Sequence, residues 1–198
     1  MEHGRPENLF AHAAHIGYLY RDEDECRRVL CTYVREGIAA GALVVCLADV
    51  TEDQIATARA KLGDAVDEAH AHQLTIVPLA HSYHAERHFD PDTILARLHE
   101  YAVRADAEAL DGARVAGEMR WASRGIVGAE GLIQYERRIN EVIASRPMTV
   151  LCEYDMRDFD GATCFAALGV HPMLLVGGRV IPNPYLHGRD SGLEPPEA

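Results

Sequence analysis

Apolar and polar positions along this chain switch repeatedly between short continuous runs and helical spacing, and the alternation predicts strands and helices in turn. His15-Ile16-Gly17-Tyr18-Leu19-Tyr20 is the first apolar run and reads as a strand. From Asp22 to Ala40, apolar residues fall at Cys26, Val29, Leu30, Tyr33, Val34 and Ile38, one face of a helix, with Gly41 as its stop. Leu43 to Ala48 is a second strand, ending at Asp49. Thr51 with Gln54 three residues on has a capping-box pattern, opening a helix that runs to Leu62. A short helix is expected over 65–72, and Leu74 to Leu79 is the third strand. Asp90-Pro91 reads as N-cap and first residue of a long helix with Ile94, Leu95, Leu98, Tyr101, Ala102 and Ala105 inward.

The second half repeats this logic. Ala113 to Glu118 reads as a strand, Met119 to Gly128 as a loop, and Ala129 to Ser145 as a helix with Leu132, Ile133, Ile139, Val142 and Ile143 on one side. Met148 to Tyr154 is a further strand, followed by a short helix over 162–168. Met173 to Val176 and Arg179 to Pro182 flank Gly177-Gly178, a β-hairpin with a two-glycine turn. Residues 1–8 read as a flexible leader, 9–187 as one domain and 188–198 as a flexible tail.

Strands apolar on both faces and alternating with helices predict an α/β fold, a mostly parallel sheet flanked by helices on both faces and closed by the C-terminal hairpin. Parallel sheets place their sites at the carboxyl ends of strands, near a switch in strand order. That rule selects Tyr20 and Arg21, Asp49, His81, Glu118 with Arg120 and Trp121, and Tyr154 with Asp155 as strand-end groups.

Composition narrows the function classes. The chain has 198 residues, 48% hydrophobic and 25% charged, enough for one domain with a substantial core. A net charge of −12 without a basic cluster argues against direct nucleic-acid or anionic-membrane binding. No apolar run approaches the roughly 20 residues that span a bilayer, and no signal peptide is evident. Five cysteines without a C-x-x-C spacing fit a reducing, cytoplasmic setting.

The junction after the first strand carries the strongest chemical message. A phosphate-binding version would be glycine-rich and hold a Lys facing the phosphates. Here it reads Arg21-Asp22-Glu23-Asp24-Glu25, with four consecutive carboxylates and no glycine. They suit the positive end of the helix dipole themselves and repel a triphosphate. The arrangement therefore reads as the opening of an NTPase-type α/β domain whose phosphate chemistry is missing.

Six stretches in order then resemble a known sensory family: His15 to Tyr20 with Gly41 to Asp49, Phe89-Asp90-Pro91-Asp92, Gly117-Glu118-Met119-Arg120-Trp121-Ala122, Leu151-Cys152-Glu153-Tyr154-Asp155, His171-Pro172, and Gly177 to Tyr185. Over residues 9–186 the chain is similar to the methanogen/methylotroph sensory (MEDS) domain of the dichloromethane-responsive repressor. The resemblance implies a degenerate RecA/KaiC-like core, a small organic ligand and no phosphate chemistry. Relatives often carry a DNA-binding, kinase or anti-sigma partner domain, and no such domain is read here. A signal would pass to a separate regulatory partner protein, and homo-oligomerisation is left open.

His15, Tyr20, Glu118, Trp121, Tyr154, Asp155 and His171 are the ligand-binding candidates, with Glu118 and His15 fixing the ligand's polar group in one pocket. Each has a bland counterpart: a satisfied core histidine at His15, an ion pair with Arg120 or Arg124 at Glu118, a core plug at Trp121 and a turn cap at Asp155. His81, His84 and His88 have a spacing that zinc ligands can use, but they sit in a polar surface stretch, so no metal and no cofactor is assigned. No nucleophile elbow or activated Cys is visible, and no catalytic residue is assigned. The favoured function is a stand-alone small-molecule sensor. The alternatives are a protein–protein interaction module in a kinase or anti-sigma pathway, and a metal- or nucleoside-binding enzyme.

Overall fold

A computed structural model of the chain describes residues 9–10, 13–81, 88–146 and 148–186. The predicted leader, the tail from 188 and His84 lie outside the described residues. The elements are β1 (His15–Tyr20), α1 (Glu23–Ala39), β2 (Leu43–Ala48), α2 (Ile55–Lys61), β3 (Leu74–Pro78), α3 (Pro91–Ala107), β4 (Ala113–Glu118), α4 (Leu132–Ser145), β5 (Met148–Asp155), α5 (Gly161–Leu168), β6 (Met173–Val176) and β7 (Arg179–Pro182).

The strands form one seven-stranded sheet in the order β3-β2-β4-β5-β1-β6-β7. Every pairing is parallel except the β6–β7 hairpin. One face packs against α1 and α2 through Ile16, Tyr18, Val44, Cys46, Ile76 and Leu151. The other packs against α3, α4 and α5 through Leu43, Val45, Val115, Val150, Cys152 and Tyr154. Neighbouring strands β1 and β5 thus send their following helices to opposite faces. That is the switch point at which a crevice opens beyond the strand ends.

Local chemistry explains where the elements begin. Asp22 caps α1 by accepting from the Glu25 backbone N–H at 2.7 Å, and Glu23, Asp24 and Glu25 fill the first turn at the positive end of the dipole. Asp90 caps α3 in the same way, with Pro91 at the first helical position. The expected helix over 65–72 is absent; 3₁₀ turns at Gly63–Ala65 and Ala71–Gln73 replace it. Polar residues dominate that stretch, so it offers no apolar face to bury along a helix. The loop predicted after β4 contains a 3₁₀ turn, Arg120–Ser123.

Helix α1 lies unusually close to the sheet. A Cβ at Gly37 would fall 2.6 Å from Val44 Cγ2 and 3.0 Å from Arg114 Cδ, so only glycine admits this approach. Beneath the helix, the Tyr33 hydroxyl reaches the carbonyl oxygens of Thr149 (2.9 Å) and Val115 (3.2 Å). Arg114 is buried there, donating to the Phe10 carbonyl at 3.0 Å with its guanidinium over the Tyr33 ring. Among the described residues, no helix is long and apolar enough to cross a membrane.

Candidate functional site

Side chains alternate across a strand, and this alternation divides the candidate residues between the two faces. Tyr20 and Asp155 are register partners, as are Glu118 and Glu153, and these four belong to the α1 face. His15, Cys152 and Tyr154 point to the α4 face. The single pocket expected to join Glu118 to His15 is therefore corrected: the sheet itself stands between them.

On the α1 face, a cleft of about 550 Å³ opens beyond the strand ends, within the range of small-molecule sites. Its walls include Tyr20, Cys26, Leu30, Glu118, Arg120 and Glu153, with Glu23 and Asp24 from the start of α1 at its rim. Glu118 Oε2 accepts from the Asp49 backbone N–H at 3.0 Å, and burial raises the carboxyl above its ordinary pKa. Glu153 is more deeply buried, and burial, then the adjacent Glu118, push it up to about 8. Such burial favours its neutral, proton-donating form, beside Glu118 on the neighbouring strand and with Cys26 Sγ 3.8 Å from its Oε1.

Among the described residues, three cations line this cleft, Arg27, Lys61 and Arg120, and Arg27 and Arg120 are held in ion pairs. Arg120 donates to Asp155 at 2.7 Å and lies 2.7 Å from Asp158 Oδ2. Arg157 also chelates Asp155 and reaches Glu23 at 2.7 Å. Arg27 is paired with Asp24 at 3.0 Å. Hydrogen bonding from Arg157, joined by Arg120, holds the Asp155 carboxyl well below the usual carboxylate range. Asp155 is thus a structural clamp for two arginines and does not line the cleft.

Trp121 does not reach the cleft either. The 3₁₀ turn after β4 folds its ring inward, fully buried against Phe89 with centroids 4.4 Å apart.

On the α4 face, a second group of polar side chains is sealed inside the protein. The Nε2 of His15 lies 3.0 Å from Glu136 Oε2, and the Nε2 of His171 lies 3.3 Å from the same oxygen. Cys152 Sγ is 3.4 Å from both His15 Nε2 and Glu136 Oε2. Tyr154 donates its hydroxyl to the other carboxylate oxygen, Oε1, at 2.5 Å. Burial alone would raise Glu136, but His171 and His15 more than offset it and hold the carboxyl below the ordinary range. Burial and then the neighbouring His171 lower His15, against the pull of Glu136.

Glycine makes room for this arrangement too, because a Cβ at Gly17 would fall 2.9 Å from His171 Cγ. Sequence reasoning placed His15, Tyr154 and His171 at a site but missed Glu136 and Cys152. The signal for Glu136 was available: it occupies an inward position of α4, between buried Tyr135 and Ile139, where a carboxylate requires partners.

Of the predicted surface histidines, His81 is exposed and pairs with Glu52 at 2.9 Å. Among the described residues, the one grouping of metal-capable side chains is His15, Glu136, Cys152 and His171.

Strand order, the crevice at the switch point and helices on both faces define the class: a RecA-like α/β domain. Residues 14–172 match the family described as the methanogen/methylotroph, DcmR sensory domain (MEDS), and the chain belongs to that family. No curated protein matches it. The fold is similar to the flagellar accessory protein FlaH from Methanocaldococcus jannaschii, with a TM-score of 0.55 and 11% identity over 86% of this chain and 76% of that one. It is also similar to an uncharacterized protein from Pyrococcus horikoshii solved with an unknown peptide, with a TM-score of 0.56 and 12% identity over 86% and 82% of the two chains.

Proposed function

We propose that this chain is a sensory module that binds a small organic molecule in the α1-face cleft and passes the signal to a separate partner protein. Its membership of a sensory-domain family supports a signalling role. The observation that carries the ligand reading is the cleft at the sheet's switch point, with the Glu118–Glu153 pair on its floor and Tyr20 in its wall. Apolar and aromatic walls with a few convergent polar groups are the usual make-up of a small-molecule site.

Charge selects the ligand class. The acidic start of α1 faces the cleft where a phosphate site would need N–H groups and an ammonium, and Arg120 is committed to Asp155 and Asp158. An uncharged or cationic organic molecule suits these walls, and a triphosphate is repelled. A protonated Glu153 can donate to a ligand oxygen while Glu118 accepts from a ligand N–H or O–H. Five free cysteines support a cytoplasmic setting.

Native mass spectrometry of protein purified without metal-affinity resin tests the reading. The expected result is a reproducible organic mass that is lost on denaturation and absent from the Glu118→Gln variant. The bare polypeptide mass, metal apart, counts against it.

A second reading, a module that binds a protein partner without its own ligand, rests on a different observation. The edge strand β7 leaves Ile181 exposed, and Val176 beside the hairpin turn and Tyr185 just beyond it are also exposed. Among the described residues no strand pairs with the outer edge of β7, and an edge of this kind can accept an added strand. The structurally similar Pyrococcus horikoshii protein was solved in complex with an unknown peptide. A partner that binds the hairpin edge and leaves the cleft unchanged would favour this reading.

A further inference from the structure

The sealed cluster on the α4 face has more lone pairs than protons to separate them. His171 Nδ1 lies 2.6 Å from the Ala167 carbonyl oxygen, which can only accept, so Nδ1 carries a proton. His15 Nδ1 lies 3.0 Å from Asn140 Oδ1. Asn140 is oriented by its own amide, which donates to the Val170 carbonyl at 3.1 Å, so it offers its oxygen and His15 also donates through Nδ1. Both Nε2 atoms are then aimed at one carboxylate oxygen, and the His171 contact has no hydrogen-bond alignment.

With neutral rings, two nitrogen lone pairs face Oε2 of Glu136 in a fully buried site, and the arrangement is repulsive. One added proton relieves one contact and leaves the other. Two added protons place two imidazolium rings with centroids 4.2 Å apart in the protein interior. A single divalent cation at the point of convergence relieves all of these contacts at once.

We infer that His15, Glu136, Cys152 and His171 form a tetrahedral site for a divalent transition metal, with Zn²⁺ the ion that the donor set favours. The four donor atoms lie within 4.8 Å of one another. Ideal Zn–N and Zn–O bonds of about 2.0–2.1 Å and Zn–S bonds of about 2.3 Å give tetrahedral edges of about 3.3 Å between N and O and about 3.5 Å to sulfur. Four of the six edges are 3.0 and 3.3 Å between nitrogen and oxygen, and 3.4 Å from sulfur to His15 and to Glu136. The two that join His171 Nε2 to His15 Nε2 and to Cys152 Sγ lie within 4.8 Å, so His171 must move inward slightly on loading. A thiolate and a carboxylate balance the two positive charges, so the loaded site is neutral in its buried setting.

The surrounding shell is that of a metal centre. Each imidazole is fixed by an Nδ1–H bond to an oxygen, and Tyr154 holds the free oxygen of the carboxylate. All four coordination positions belong to the protein, which marks the site as structural. It ties β1, β5, α4 and the turn leading into β6 at one point.

Cobalt reconstitution of the full chain tests the assignment. The protein is unfolded with a chelator under reducing conditions, refolded with Co²⁺, and freed of loosely held ion. The expected result is one Co²⁺ per chain, with the strong visible bands of tetrahedral Co²⁺ and a thiolate charge-transfer band. Cys152→Ser should lose the charge-transfer band, and Asn140→Ala, which acts by positioning His15, should weaken Zn²⁺ binding about 10- to 100-fold. His81→Ala, a surface control, should change neither.

X-ray absorption on the unmutated zinc-refolded protein adds a readout that needs no variant to fold: one sulfur and three nitrogen or oxygen neighbours are expected. A zinc environment without sulfur, cobalt binding lost on His81→Ala, or no retained metal would each overturn the assignment.

Discussion

Tyr154→Phe removes one oxygen atom from the protein interior and leaves the ring's packing in place. That oxygen donates to Glu136 Oε1 at 2.5 Å, both side chains being fully buried. A hydrogen bond to a charged group contributes about 1.5–3 kcal/mol, and its loss leaves a carboxylate oxygen without that donor. No cavity term of consequence adds to this, since no methylene is lost. For a chain of this size each kcal/mol moves Tm by about 2–4 °C, so a fall of about 3–12 °C is expected. Urea denaturation with an unchanged m-value measures the same loss at 25 °C.

The double-mutant cycle sharpens the test. With Glu136→Leu the bond from the hydroxyl to Oε1 is gone, so adding Tyr154→Phe should then cost much less, giving a coupling of about 1.5 kcal/mol or more if that bond carries the whole loss. A loss below about 0.5 kcal/mol for Tyr154→Phe alone, or equal losses in both backgrounds, would refute the description of Glu136 as a buried, ionised hub.

Three further outcomes follow from other parts of the structure. Gly37→Ala should destabilise by about 1–3 kcal/mol in chemical denaturation, because its methyl meets Val44 at 2.6 Å under α1; a neutral change would show that the helix can lift freely. Asp155, whose pKa is lowered chiefly by Arg157, contributes stability above the ordinary Asp pKa of about 3.9 that is lost as pH falls through its lower folded value. Acid denaturation of Asp155→Asn should therefore lack the part of the stability drop below pH ~4 that the unmutated protein shows, and superimposable acid profiles would contradict this. Glu118→Gln should keep the fold, by circular dichroism and Tm, while losing ligand binding; a collapse in stability would show Glu118 to be needed for its bond to the Asp49 backbone.

The order and type of the elements were legible because burial is written as periodicity. The bounds of β1, β2, β4 and of the β6–β7 hairpin coincide with the predicted apolar runs, and Asp90-Pro91 opens α3 where its chemistry requires. The failed helix over 65–72 had no apolar stripe to sustain it.

The site was less legible, since a strand-end rule finds the right edge of the sheet but not which face a side chain takes. Tyr20, Glu118, Tyr154 and Asp155 all lie near that edge, yet alternation sends Tyr154 to the α4 face. Glu136 and His171 are 35 residues apart in sequence and meet only because α4 and α5 pack side by side on β1 and β5. Arg114 near the start of β4 had no local sign of the Phe10 carbonyl that receives it.

Ligand mapping by NMR on isotopically labelled protein tests the central claim most directly. The titrated probes are a set of small uncharged and amine-bearing organic molecules, with ATP as the anionic counterpart. The account expects at least one organic probe to shift Tyr20, Glu118 and Arg120 resonances saturably, and ATP to leave them unmoved. Saturable ATP binding at those residues, or organic probes that shift only residues outside the cleft, would contradict it.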